Sequence, residues 1–238
     1  MLTACVPQVI FEDDDLLVVD KPGGMVCHSA QRPEHIALVT WVREHGIETP
    51  RMINRLDRET SGLVVVAKNE RAAKILGKQV LRREIAKEYV AICWGVIKAD
   101  RGVIEQPIGL APGAVVFTRR EVRADGQACV TEWEVEQRLG GGFTVVRLRP
   151  RTGRAHQLRV HLQWLGHSIV GDKIYGSDEK LYLEFIAKGV TDEMLTKLLL
   201  PRHALHAARV TLRHPTSQQP VTFVAEWPAD MREFIATR

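Results

Sequence analysis

Cysteine is scarce in this sequence, and the pairs that would give it a structural role are missing. The four cysteines stand at positions 5, 27, 93 and 129 of 238 residues, and none forms a Cys-x-x-Cys pair. That spacing disfavours a disulfide framework and a zinc site, and points to small buried hydrophobes in a reducing compartment. No apolar run approaches the ~18 residues a membrane helix requires; runs such as Leu63–Ala67 have a strand's length. The first fifteen residues lack a basic segment followed by a long apolar one, so a secretory signal is not expected. A nucleotide-type phosphate loop is also absent. Gly140-Gly141-Gly142 sits between two strand-like runs and reads as a hairpin turn. There is no Gly-x-Ser-x-Gly elbow for a hydrolase serine.

Acidic residues are absent from one long stretch. The chain has 33 basic and 29 acidic residues, a net charge of +4, yet no Asp or Glu occurs between Gln137 and Gly171. That stretch carries Arg138, Arg147, Arg149, Arg151, Arg154 and Arg159, with His156, His161 and His167. Such clustering predicts a phosphate-facing surface. With 45% hydrophobic and 26% charged residues, the composition is that of an ordinary globular protein with enough length for a real core.

Periodicity predicts short strands at Val9–Phe11, Leu16–Asp20, Leu63–Ala67, Glu88–Val96, Val103–Ile108, Val115–Thr118, Val130–Val135 and Thr144–Leu148. Leu205–Leu212 and Val221–Ala225 close the chain as strands. Helices are expected over Ile36–His45, from Glu70 to Arg83 with Asn69 as N-cap, and once or twice within 178–200. The clearest helix of the second half is Arg154–Leu165. Ala155, Leu158, Leu162 and Leu165 form its apolar stripe, Thr152 its cap and Gly166 its stop. Strands outnumber helices and do not alternate strictly with them. The fold class is therefore α+β, with a mixed, largely antiparallel sheet, in a single domain over 1–238.

Four segments carry candidate chemistry. In Asn54-Arg55-Leu56-Asp57-Arg58-Glu59-Thr60-Ser61-Gly62, Asp57 lies between two arginines in a loop before a buried strand, and the flanking cations favour its ionised form. A carboxylate held on such a loop suits a nucleophile or a base, although a surface salt bridge is the commoner use of one. In Arg151–His161 the helix N-terminus and two arginines would converge on one anion-attracting corner; Arg159, one position past the apolar stripe, could be half-buried and aimed into a cleft, or equally an arginine at the helix border. His156 and His161 are five apart, which fits a helical metal pair poorly. Tyr89, in Lys87-Glu88-Tyr89, could be core or a platform for a base. Ile169–Gly176 reads as a turn with structural glycines.

Together these motifs resemble the RluA family of RNA pseudouridine synthases. The family's HRLDRxTSG loop appears as NRLDRETSG, and its KPxG as Lys21-Pro22-Gly23-Gly24. KEY stands at 87–89, TGRAHQLRVH at 152–161, GHSIVGDKIYG at 166–176 and LHAARVTLRHP at 205–215, so the motifs run in order through most of the chain. The resemblance implies a pseudouridine synthase fold with helices around the sheet and a central cleft. It implies an isomerase that converts uridines of rRNA or tRNA to pseudouridine. Asp57 would be the catalytic aspartate, Tyr89 would stack on the flipped uracil, and Arg159 would pair with Asp57. Arg55 would enter the RNA helix as the target nucleotide leaves, Leu158 would line the pocket, and Arg154 and His156 would help hold RNA. No metal, organic cofactor or membrane is implied; the expected partner is RNA, and the expected form a monomeric cytoplasmic enzyme. Asn54 replaces the usual His, and Ser168 the usual Pro. The short segment before Lys21 fits a compact type without an N-terminal RNA-binding module. The rival reading is a catalytically silent RNA-binding protein using the basic face, for which Asp57 would be unnecessary.

Overall fold

The computed structural model describes residues 6–28 and 37–238. Along the chain run β1 (Gln8–Glu12), β2 (Leu16–Lys21), α1 (Leu38–Glu44), β3 (Arg51–Met52), β4 (Ser61–Ala67) and α2 (Glu70–Leu81). Then follow β5 (Ala86–Trp94), β6 (Arg101–Ile104), β7 (Ile108–Leu110), β8 (Arg120–Val122), β9 (Thr131–Leu139), β10 (Phe143–Pro150) and α3 (Gln157–Trp164). The chain ends with α4 (Lys180–Lys188), α5 (Asp192–Leu198), β11 (Leu205–Arg213), β12 (Pro220–Val224) and α6 (Ala229–Ala236). These elements form two compact units. One takes the described residues up to Glu88 together with His206–Trp227; the other takes Tyr89–Leu205 and Pro228–Arg238.

The first unit is built around β4, all seven of whose residues are buried. A strand covered on both faces needs an unbroken apolar run, which Leu63–Ala67 supplies. β2 pairs antiparallel with β4 from Leu16↔Ala67 to Lys21↔Gly62. β11 pairs parallel with it at His206↔Ser61 and Ala207↔Gly62, which makes the sheet mixed. Leu16, Val18, Leu63 and Val65 share one core with Leu76 of α2 and with Val210, Leu212 and Phe223. Asn69 caps α2 as expected, its side chain accepting from the Ala72 N–H at 2.8 Å. Of Gln79 and Val80, which both fall near the helix's inward spacing, Val80 is 45% exposed. Gln79 is buried, because its amide pairs with both backbone groups of Arg213, at 2.7 and 2.9 Å.

Gly62 adopts φ +112, and a Cβ there would lie 2.4 Å from the Ala207 carbonyl oxygen. Glycine is thus dictated by the close approach of β11 as well as by the backbone. Gly62→Ala is expected to destabilise by more than the ~1–3 kcal/mol of a strained backbone alone. Urea unfolding checks this; a midpoint equal to that of the parent would contradict it.

In the second unit β5, β10 and β9 run antiparallel, with β6 beside β9. The three glycines at 140–142 make the β9–β10 turn, with Gly141 and Gly142 at positive φ. Four expectations are corrected here. The run Val103–Ile108 is not one strand but the ends of β6 and β7. Val115–Thr118 forms turns and bends, with Val116 buried and Phe117 88% exposed; its alternation was real, but it makes no strand pairing among the described residues. The chain closes on a helix, α6, because Met231 and Phe234, three apart, are both buried, Phe234 edge-on to Phe143. α3 begins at Gln157 rather than Arg154. Ala155 is exposed and Leu165 half-buried, whereas Gln157–Leu162 are all buried, so the first six residues of the helix are enclosed rather than amphipathic, and only its end, at Trp164, is exposed. Two helices, α4 and α5, lie within 178–200 as expected. No helix among the described residues is long and apolar enough to cross a membrane.

Candidate active site

The loop that carries Asp57 is short, polar and held from three sides within the first unit. β3 leads into it and β4 leads out of it. Asn54 fastens its entry: the side-chain amide donates to the Leu63 carbonyl at 3.0 Å and accepts from the Val65 N–H at 2.9 Å. An asparagine in the family's histidine position therefore extends the ladder of β4 by one side chain. Leu56 is buried, and its backbone meets Cys27, whose Sγ accepts from the Leu56 N–H at 3.3 Å and donates to its carbonyl at 3.5 Å. Burial pushes the Cys27 thiol's pKa up, so it acts as a neutral hydrogen-bonding group.

Lys21 is fully buried, with its ammonium on the carbonyls of Pro22, Met25 and Arg58 at 2.9, 2.8 and 3.3 Å. The Gly24 N–H also donates to the Arg58 carbonyl, at 2.8 Å. The Lys-Pro-Gly-Gly motif is thus a clamp on the loop. A turn from the Thr60 N–H to the Asp57 carbonyl, 3.1 Å, sets the loop's bend. Next to it Ser61 Oγ pairs with His206 Nδ1 at 3.0 Å, which brings the Leu-His-Ala motif of β11 to the same place. On this frame Asp57 is half-buried and Arg55 exposed.

The second unit holds the other candidates. Tyr89 lies on β5 opposite Leu148, 8% exposed. Arg159 is not a border arginine: it is 4% exposed on α3. Its Nε and Nη2 donate to the two carboxylate oxygens of Asp172 at 2.7 and 2.8 Å. Asp172 Oδ1 also accepts the N–H groups of Ile174 and Tyr175, at 2.9 and 3.0 Å. Burial by itself would raise this carboxyl's pKa. The charge and hydrogen bonds of Arg159 outweigh it, and Asp172 is held well below the usual carboxylate range.

The Arg159 guanidinium lies over the Tyr175 ring, 4.9 Å from its centre. The Tyr175 hydroxyl accepts from the Arg120 N–H at 2.9 Å and pairs with His156 Nδ1 at 2.7 Å. His156 takes a left-handed conformation, φ 58, just before α3. Thr152 does not cap α3, whose N-cap is His156 with no side-chain cap bond; instead the Gln157 Oε1 accepts from the Arg154 N–H and the Thr152 hydroxyl at 3.0 and 2.8 Å, tying the preceding turn. Ser168, in the family's proline position, donates to the Tyr175 carbonyl at 2.7 Å. Leu158 is buried, and Arg154 is exposed.

Asp172 and Tyr175 went unread as a site because the glycines around them dominate the local sequence. The available signal was an aspartate placed directly after 35 residues without an acid. A depressed folded pKa fixes the sign of its contribution. Asp172 stabilises the fold fully above the ordinary aspartate value of ~3.9, and that share is lost as pH falls through the lowered folded value. Stability is expected to decline below about pH 4, and Asp172→Asn is expected to flatten the decline. Melting temperatures against pH check this; an identical acid limb in the variant would contradict it.

The phosphate-facing surface expected from the acid-free stretch needs correction. Five of its six arginines carry acidic partners: Arg138–Asp100, Arg147–Glu136, Arg149–Glu134, Arg151–Glu132 and Arg159–Asp172. Three of these partners come from β9, just upstream, and meet β10 across the hairpin. Counting charge along the sequence missed them because a hairpin folds the two signs together. His161 is also interior, between Thr131 Oγ1 at 2.8 Å and the Gln106 carbonyl at 3.0 Å.

A profile described as RNA pseudouridylate synthase matches residues 15–164. An uncharacterised RNA pseudouridine synthase of Chlorobaculum parvum is 38% identical over 94% of this chain and 71% of its own length. The chain belongs to this family of RNA pseudouridine synthases. Ribosomal large subunit pseudouridine synthase D of Zymomonas mobilis is 35% identical over 94% of this chain and 70% of its own. The solved structure of human RNA pseudouridylate synthase domain containing 4 matches with TM-score 0.72 and 25% identity, covering 94% of this chain and 90% of that one. The fold, a mixed and mostly antiparallel sheet with helices, is that of these synthases. The enzyme is an isomerase, and its substrate is RNA.

Proposed function

We propose that this synthase modifies uridine in large-subunit ribosomal RNA, with Asp57 as its catalytic carboxylate. The observation that carries the assignment is the clamp around Asp57, where Lys21, Cys27 and Asn54 each fix a different part of one short loop. So much fixation of a polar loop has no use in packing, but it holds a reacting group in place.

In the reaction the N1–C1′ bond of uridine breaks and its electron pair stays on the uracil. The base turns, C5 bonds to C1′, C5 loses its proton and N1 gains one. The net change is an isomerisation, so no oxidant or second substrate enters. Asp57 assists the first step by attacking C1′ or by taking a ribose proton. By the family resemblance, Tyr89 would hold the detached base and Arg159 would act as the partner cation of the catalytic carboxylate. Asp172 and the Tyr175 ring fix the Arg159 guanidinium. Unstacking the target costs a few kcal/mol, and the exposed Arg55 fills the gap. Arg154 and His156 contact RNA beside it, and Leu158 lines the uracil pocket. Three buried, free cysteines suit a reducing compartment, where an RNA-modifying enzyme meets its substrate.

The choice of RNA rests on relatives whose names specify the large ribosomal subunit. Release of tritium from uridine C5 reports each turnover. With labelled large-subunit rRNA and labelled tRNA offered separately, release is expected from the rRNA. Release from tRNA alone would overturn the choice.

A further inference from the structure

A groove on the first unit, away from the catalytic loop, has the composition of a surface for single-stranded nucleic acid. It measures about 520 Å³ and lies between β3 and the outer face of α2. Lys74, Gly77, Lys78 and Leu81 line it at i, i+3, i+4 and i+7, one face of the helix, and Arg51 and Met52 form the facing wall. No acidic residue lines it. Gly77 leaves open space at the floor, since a Cβ there would meet nothing within 4 Å. Leu81, 84% exposed, and Val80, 45% exposed, add apolar surface at one end.

The cations differ in what they already hold. Arg71 is committed to Asp15, Lys74 to Glu70 at 3.0 Å and Arg82 to Glu84 at 3.9 Å. Arg51, Lys78 and, just past the end of the helix, Arg83 have no acidic partner among the described residues. Of these, Arg51 and Lys78 line the groove among apolar residues, which places charge where phosphates run and flat surface where a ribose or base can rest.

Position in the fold sets the reach. Arg51 is in register with Ala67, at the end of β4 remote from Ser61 and the Asp57 loop. Six strand steps separate the two ends, about 20 Å. RNA occupying both places must therefore extend several nucleotides from the target uridine.

We propose that this groove binds a single-stranded flank of the substrate RNA. The inference rests on the reading of the chain as an RNA-modifying enzyme and names a second contact that the reaction itself does not require. Two RNAs test it: a uridine-containing stem-loop with long single-stranded flanks, and the same stem-loop without them. The charge reversals Arg51→Glu with Lys78→Glu are expected to weaken binding of the flanked RNA about tenfold. They should also lower its salt slope by about 0.7 for each cation lost. The unflanked stem-loop should bind as it does to the parent. The milder pair Arg51→Gln with Lys78→Gln guards against misfolding and should show a smaller shift in the same direction. Equal binding of the flanked RNA by parent and variants would overturn the proposal, as would an equal loss on both RNAs. Tritium release by the parent separates the two readings: its absence from every RNA counts against the enzyme assignment, and its presence with unchanged binding counts against the groove alone.

Discussion

Asp57→Asn is expected to leave the synthase folded and able to bind RNA while pseudouridine formation falls by about 10⁴-fold or more, the scale on which losing a reacting group acts. The fold should tolerate the change because the loop is anchored through Asn54, Leu56 and Arg58 and through the Lys21 clamp. An asparagine keeps the shape at 57 and removes the charge. It can neither attack C1′ nor accept a ribose proton, so both forms of the first step fail together. Tritium release measures the loss, and retention of labelled RNA on the variant measures binding. A variant that keeps full release would refute the assignment. A variant that loses release and binding in parallel would make Asp57 a contact to RNA.

Breaking the Arg159–Asp172 pair should have the second largest effect, and on two properties at once. Both side chains are almost wholly enclosed, and their charges answer each other. Arg159→Ala strands a buried carboxylate and is expected to cost about 3–5 kcal/mol of stability. For a protein of this length that corresponds to a melting temperature lower by roughly 6–20 °C. Asp172→Ala strands the guanidinium and should cost a similar amount. The double change Arg159→Met with Asp172→Leu removes both charges, so much of the stability should return while activity does not. Scanning calorimetry and tritium release together separate the roles. Recovery of activity along with stability would reduce the pair to a structural element.

How far the sequence shows this structure depends on the range of the interactions involved. Elements governed by near neighbours are legible: the buried run of β4, the Asn69 cap of α2 and the glycine turn between β9 and β10. The starting point of α3 is not, because it is set by Gln157 and the left-handed His156, whose partners Val130 and Tyr175 are distant in sequence. The closing helix was missed because its large apolar residues, Met231, Phe234 and Ile235, span little more than one turn. Among the proposed site residues, Asp57 stands out in the sequence through its flanking arginines and the family loop. Cys27 was read only as a small hydrophobe; its bond to Leu56 crosses 29 positions and leaves no local trace. The basic stretch misled for a related reason. Charge counted along the chain ignores Glu132, Glu134 and Glu136, which the hairpin folds back onto the arginines.

The most direct test of the central claim is a pseudouridine map of cellular RNA in three strains: one lacking the gene, one complemented with the parent protein, and one complemented with Asp57→Asn. At least one pseudouridine in large-subunit rRNA should vanish on deletion, return with the parent and stay absent with the variant. A map unchanged by deletion, or restored by the variant, would contradict the account.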